Sequence, residues 1–303
     1  MKTLIIVNPK AGGGKSAKRW PLFSKSLDFL KPFKEIWTQR AGETKDITQH
    51  ALKEGIERIL VVGGDGSLAE AVNGFFEHEK PIQPKAILGT LPLGSGSDFL
   101  KTLGVFSPEA AIDSLRKNRT LSCDVGEVEY RDKKGKIQKQ LFLNIASFGC
   151  AGEICNKVNQ SQKSFGATLT YLSATLTTFL SYQNPTVTLE MNGKEKKKIV
   201  INNVFICNGK YSGSGMMWGP KAVLTDGLFD LTLIGDLPKL QGIFNMQKIY
   251  QGKVLEMAEV ERLQCRTLTA TSSDTVALEV DGDTVGTLPA TFSIFPHKLE
   301  LWY

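Results

Sequence analysis

The sequence predicts an α/β protein in two parts: an N-terminal doubly wound parallel sheet, then a mainly antiparallel β-sandwich. Three observations carry this reading. Strand-like apolar runs and helical stretches alternate four times up to about Leu121, the pattern of a parallel sheet wrapped by helices. Composition shifts near Ser122, after which apolar residues alternate with period two between turn residues. Two strands of the first part end in glycine-rich turns bearing an aspartate, and open parallel sheets bind ligands at such carboxyl ends. The expected domains are residues 1–122 and 123–303, with room for the extreme C-terminus to return to the first.

The elements follow in order. Residues 4–7 (Leu-Ile-Ile-Val) read as a buried strand, followed by Asn8-Pro9-Lys10-Ala11-Gly12-Gly13-Gly14-Lys15-Ser16. A Walker A loop would need glycine where Pro9 stands. A dinucleotide fingerprint would need an acidic residue closing the next strand, 33–38, and none is there. Lys10 and Lys15 could neutralise phosphate or simply be solvated. A helix over 46–55 presents Ile47, Ala51, Leu52 and Ile56 on one face. It delivers the chain to a buried strand at 59–62.

That strand runs into Gly63-Gly64-Asp65-Gly66-Ser67, and from Ser67 the apolar residues Leu68, Val72 and Phe75 or Phe76 take helical spacing. Glycines let backbone N–H groups approach an anion, and the helix N-terminus adds its positive end. Asp65 at the tip suits a metal or metal-bound water beside phosphate; it would equally cap a plain βα turn. Residues 87–99 repeat the design: an apolar strand, then Pro92-Leu93-Gly94-Ser95-Gly96-Ser97-Asp98-Phe99.

In the second part, strand-like runs fall at 126–130, 138–146, 186–191, 199–207, 228–234, 263–269, 276–280 and 290–295. Asn192-Gly193 with Lys194, Lys196, Lys197 and Lys198 reads first as a hairpin turn with polar guards. One helix is expected where Phe165, Leu169, Leu172, Leu176, Phe179 and Leu180 take helical spacing, either as core or lining a lipid-tail pocket. Edge strands here could pair two chains, although nothing requires a homodimer.

Composition sets bounds. The 303 residues can bury one large core or two, and 41% hydrophobic with 22% charged residues is ordinary for a globular protein. Five cysteines without a Cys-x-x-Cys pair, and three histidines, argue against a zinc site or a disulfide framework and for a reducing cytosol. No apolar run approaches the roughly 18 residues of a membrane span, and Met1 leads straight into a strand. A soluble, cytoplasmic protein without a signal peptide is therefore expected. The net charge of +6 suits an anionic nucleotide or membrane surface, or a solvated exterior; nucleic acid is not an expected partner.

These loops resemble the diacylglycerol kinase catalytic-domain family of lipid kinases, which includes sphingosine kinases and is distantly related to NAD kinases. The family's Gly-Gly-Asp-Gly-Thr is similar to residues 63–67, with Ser67 for Thr. Its Pro-x-Gly-Thr-x-Asn-Asp-Phe is similar to 92–99, with Ser95 for Thr and Ser97 for Asn. Asn8-Pro9, Asn144-Ile145-Ala146-Ser147-Phe148-Gly149 and Pro220-x-Ala222-x-x-x-Asp226-Gly227-Leu228 extend the resemblance over nearly the whole chain.

The resemblance implies an ATP- and Mg²⁺-dependent kinase visiting a membrane surface transiently for a lipid substrate. Nucleotide contacts would fall on Asn8, Thr38, Gly63, Gly64, Asp65, Gly66, Ser67, Glu70, Gly94, Ser95 and Asp98. Asp226 with the carbonyls of Val223 and Leu228 would hold a structural Mg²⁺. Asp283, in Asp281-Gly282-Asp283, takes the place of the family's glutamate base, one methylene shorter, with Asp281 as the fallback. Diacylglycerol is the first expectation for the acceptor. Phosphatidylglycerol, ceramide, a sphingoid base, a soluble acceptor as in NAD kinases, or a non-catalytic binding role stay open.

Overall fold

Thr3–Val7 forms the first strand (β1), and every residue in it is buried. A strand buried on both faces needs helices on both sides of its sheet, and the chain supplies them. After β1 come α1 (Lys15–Ser24), β2 (Phe33–Trp37), α2 (Glu43–Lys53), β3 (Arg58–Gly63) and α3 (Asp65–Phe75). A small hairpin (β4, Phe76–Glu77; β5, Lys80–Pro81) leads to β6 (Ile87–Pro92), the short α4 (Asp98–Thr102) and α5 (Pro108–Arg116). The structure, a computed structural model, describes residues 1–94, 96–132, 134–160 and 177–303.

The first four long strands lie parallel in the order β2-β1-β3-β6. Alternate residues feed two cores. Ile5, Val7, Leu60 and Val62 pack with Trp20, Phe23 and Leu115, while Leu4, Ile6, Val61 and Leu88 pack with Leu52, Val72 and Phe75. This is the doubly wound sheet that the alternation predicts.

The second part is antiparallel. It holds β7 (Thr120–Arg131), β8 (Ile137–Phe142), β9 (Ile145–Gly149), α6 (Cys150–Gln160), β10 (Thr186–Met191), β11 (Glu195–Val200) and β12 (Asn203–Cys207). A hairpin of β13 (Tyr211–Ser212) and β14 (Met216–Met217) follows, then β15 (Phe229–Ile234) and α7 (Lys239–Tyr250). The chain ends with β16 (Val260–Cys265), β17 (Thr267–Ser272), β18 (Ala277–Val280) and the long β19 (Asp283–Trp302). Phe142, Phe148, Phe229 and Phe292 centre the sandwich core, with two stacked pairs among them.

β19 joins the parts. It pairs antiparallel with β18, β17 and β7, shifts register between Phe295 and Leu299, and ends parallel to β6 with Trp302 opposite Gly89. The boundary expected at 122 falls inside β7, which runs alongside β19 from one region into the other.

Three expected strands are each two in the structure. The run at 138–146 breaks between β8 and β9 because the N–H groups of Leu143, Asn144 and Ile145 turn to the Asp281 carboxylate. The run at 199–207 breaks where Asn202 N–H reaches the carbonyls of Ile234 and Gly235, and 263–269 divides between β16 and β17. The lysines at 196 and 197 lie on β11, paired with Glu190 and Glu261, in keeping with the hairpin reading. Helices α6 and α7 were not anticipated. The helix expected around 165–180 lies largely outside the described residues; 177–181 are helical.

Candidate active site

Three loops meet at the carboxyl ends of β1, β3 and β6. Gly63 carbonyl accepts from Leu93 N–H (3.0 Å) and Gly94 N–H (2.8 Å), which ties the β6 loop to the β3 loop. A side chain at Gly94 would put Cβ 2.6 Å from Gly64 Cα, and one at Gly63 would meet Ser67 Oγ at 2.7 Å. Gly12, at φ +61°, lies against Leu93 carbonyl. Glycine is thus required where backbone touches backbone. Asn8 Nδ2 donates to Ser67 Oγ (2.8 Å), and its Oδ1 accepts from Lys10 N–H, so one side chain shapes its own turn and joins it to the next. Ser95 lies outside the described residues.

Asp65 opens α3. Its carboxylate accepts from the N–H groups of Asp98 (2.9 Å) and Phe99 (3.3 Å), the first residues of α4. Burial raises its pKa, and the charge of Asp98 adds to that. Asp98 is itself buried, with one oxygen on Lys101 Nζ (2.6 Å) and the other on Ser214 N–H (2.7 Å). It therefore fastens the β13–β14 hairpin to the second loop.

Asp281 and Gly282 link β18 to β19 with φ +46° and +96°. Positive φ at both positions is what a two-residue type I′ turn demands, and Asp-Gly meets it. The Asp281 carboxylate accepts three N–H groups, from Leu143 (3.0 Å), Asn144 and Ile145 (3.1 Å each). Burial nevertheless pushes it up to about 7, with Asp65 among the charges that raise it. Asp65 and Asp281 line one cavity with Leu68, Ala69, Phe99, Leu143 and Asn144. Asp283 stands just beyond the turn, open to solvent. Enough protein surrounds its carboxyl that burial raises its pKa, with Glu70 contributing.

Glu70 lies on α3 but caps another helix. It accepts from Gly42 N–H (2.8 Å) and Thr44 N–H (3.2 Å) at the start of α2, whose own N-cap residue, Gly42, has no side chain to do so. Thr38 is buried just past β2, its N–H on Val7 carbonyl. Asp226 is exposed and accepts from Leu228 N–H (3.0 Å) in its own turn. Burial raises its pKa, and the charges of Asp124 and Asp230 add to it. Asp124 is fully buried and bonds Gly227 N–H (2.7 Å) and His297 N–H (2.9 Å), so it braces that turn against β19.

Glu279 is the residue that sequence reading passed over. Its carboxylate is enclosed, accepting from Ser147 Oγ (2.6 Å) and from Gly282 N–H (2.5 Å), and burial pushes it up to about 7. The available signal was a glutamate inside an otherwise apolar strand, Leu278 to Val280. Read as hairpin alternation, it concealed a clamp on the turn between Asp281 and Asp283.

Lys101, whose charge acts to lower the Asp65 pKa, is itself paired with Asp98. Among the described residues, no group of three His, Cys, Asp or Glu side chains could cage a metal. Hard oxygen donors without a full cage fit a divalent cation shared with phosphate oxygens.

This fold, a parallel nucleotide-type sheet completed by a β-sandwich, recurs in solved structures. One is a diacylglycerol kinase from Bacillus anthracis, with TM-score 0.71 and 19% identity, covering 100% of this chain and 96% of that one. Another is yeast NADH kinase complexed with NADH, with TM-score 0.52 and 10% identity over 99% and 82% of the chains. A diacylglycerol kinase of Staphylococcus carnosus is 26% identical over 268 residues, 88% of this chain and 82% of that protein. The diacylglycerol kinase catalytic domain matches residues 2–128, and the YegS C-terminal NAD kinase beta sandwich-like domain matches 144–303. The chain belongs to this family of lipid kinases.

Proposed function

We propose that this protein transfers the γ-phosphate of ATP to a lipid hydroxyl, with diacylglycerol as the first candidate acceptor and phosphatidic acid as product. The observation that carries the reading is the shared cavity: Asp65 of the β3 loop and Asp281 of the β18–β19 turn line one space, with Asp283 two residues further on. Phosphoryl transfer needs positioning and neutralised charge more than covalent chemistry. The glycine loops at 63–67 and 94–96 would cradle the phosphates, with Asn8 holding the first two loops in register and Thr38 at the adjoining strand end. Asp65 would hold Mg²⁺, which when bound would supply positive charge opposite the carboxylates and the phosphates. Asp283 would accept the hydroxyl proton. Its raised pKa brings it nearer neutrality, where a base works best. Glu279, through Gly282 N–H, sets the turn on which Asp283 rides, and Glu70 shapes the α2 edge beside it.

A second Mg²⁺ would sit at Asp226 with the carbonyls of Val223 and Leu228, relieving the repulsion from Asp124 and Asp230. The enzyme would meet a lipid acceptor at a membrane surface; among the described residues no helix is long and apolar enough to cross one. Labelled-phosphate transfer from ATP to a panel of lipids in mixed micelles tests the reading. One labelled lipid species is expected. No labelled lipid, with Mg-ATP binding intact, would redirect the search to soluble acceptors.

A further inference from the structure

Helix α7 carries the most exposed aromatic side chain of the described core-sized residues. Phe244 is 81% exposed, with Tyr250 at 51% and Ile243 and Met246 at 40% each. At 100° per residue, Ile243, Met246, Gln247 and Tyr250 share one arc with Phe244 at its edge. Gly242 and Ile249 point the other way and are buried; Gly242 lies against the Phe179 ring too closely for a side chain. The inner face packs with Trp218, Phe205 and Val254. This helix is apolar on both sides, and among the described residues only one side has a partner inside the molecule.

Charge indicates what covers the other side. Residues 237–255 contain Lys239, Lys248 and Lys253 and no acid, with Asp236 and Glu256 just outside them. Lys239 is bonded to the Tyr182 carbonyl and Gln241 to Glu259, which leaves the charges of Lys248 and Lys253 for an anionic partner. The cleft, in contrast, is rich in carboxylates. A second copy of this chain, paired about a two-fold axis, would set these lysines against their own counterparts. Four apolar side chains on one helix also fall far short of the roughly 800 Å² per partner that a stable protein interface buries. An anionic lipid surface asks for neither. It takes a few inserted apolar groups, an amphipathic aromatic and flanking lysines.

The position of α7 fits. The turn after it, at Gly252, packs on Met217 of β14. The hairpin containing β14 donates Ser214 N–H to Asp98, and its Tyr211 carbonyl accepts from Asn144 Nδ2 (2.7 Å), both at the candidate site. One short hairpin therefore touches both the helix and the cleft.

We propose that the outward face of α7 is the surface by which this protein docks on an anionic bilayer, with Phe244 and Ile243 entering the interface and Lys248 and Lys253 meeting lipid phosphates. This deepens the lipid kinase reading and rests on it for the acceptor, but the docking step is measurable without ATP. The full chain would be sedimented with vesicles of phosphatidylcholine, with and without phosphatidylglycerol. Wild type should partition onto the anionic vesicles. The double variant Ile243→Ser, Phe244→Ser should lose about tenfold or more of that partitioning with an unchanged melting temperature. Phe244→Leu should keep most of it, and Lys248→Glu with Lys253→Glu should abolish the preference for phosphatidylglycerol. Wild type that stays in the supernatant with both vesicles, or a serine double variant that pellets as wild type does, overturns the proposal. So does a dimer that the serine variant converts to monomer without altering vesicle binding. Transfer to a micelle-dispersed lipid separates the two readings: failure of docking leaves it intact, and failure of the kinase reading abolishes it while vesicle binding persists.

Discussion

At Gly94 a single hydrogen in place of a side chain lets two glycine-rich loops touch. An alanine there would put Cβ 2.6 Å and 2.9 Å from Gly64 Cα and N, backbone atoms with little freedom to give way. Gly94→Ala should cost about 1–3 kcal/mol of stability from overpacking and weaken Mg-ATP binding, read by calorimetry beside thermal melting. Glu279 gives a pH prediction. Its folded-state pKa, about 7, lies above the usual carboxylate range. The folded protein therefore holds this proton more tightly than the unfolded chain. The stability it contributes is present below the unfolded pKa and lost as pH rises through about 7. Asp281 acts in the same sense, so melting temperature should fall from about pH 4 to about pH 7. Glu279→Gln keeps the shape and an acceptor for Gly282 N–H, and should flatten part of that fall. An equally steep profile in the variant would contradict the assignment. The loop residues were legible because glycine and aspartate in turns leave a clear signal. Glu279 was not, since a lone glutamate in a short strand reads alike whether its carboxylate is buried or faces solvent.

Between elements, one side chain often does another's capping. Helix α2 begins at Gly42-Glu43 without a cap of its own, and Glu70 from α3 supplies both acceptors. Glu70→Ala should lower stability by about 1 kcal/mol, as loss of an N-cap does, and loosen α2 first, visible as faster amide exchange at Thr44. The turn at Asp226 is held by Asp124 from β7 and by its own Asx bond. If a cation completes it, chelation should lower the melting temperature of wild type and leave that of Asp226→Asn unmoved. The breaks between β8 and β9 and between β11 and β12 escaped sequence reading because their cause is remote. The amides at 143–145 answer to a carboxylate 136 to 138 residues away. Helix α7 escaped because Ile249 faces inward while Ile243 and Phe244 face out, which blurs the periodicity on which helix recognition depends.

Across the whole molecule, β19 closes the design. Twenty residues run from the Asp281-Gly282 turn through the sandwich to the edge of the parallel sheet, ending with Trp302 buried against Gly89 and Leu115. The same chain segment thus begins at the proposed base and finishes as a neighbour of the strand that carries the second glycine-rich loop. The two-part architecture was legible from the change in periodicity near residue 122. The length of β19 was not, because its register shifts hide the alternation outside 290–295. The central claim is that Asp65 and Asp283 work on one phosphoryl transfer across this junction. The most direct measurement is labelled-phosphate transfer from ATP to lipid in mixed micelles for wild type, Asp65→Asn, Asp283→Asn and Asp283→Glu. The account predicts a single labelled lipid, a fall in kcat of about 10²–10⁴-fold for Asp283→Asn, substantial activity in Asp283→Glu, and near-complete loss in Asp65→Asn. Undiminished transfer in Asp283→Asn, with Asp65→Asn inactive, would contradict it.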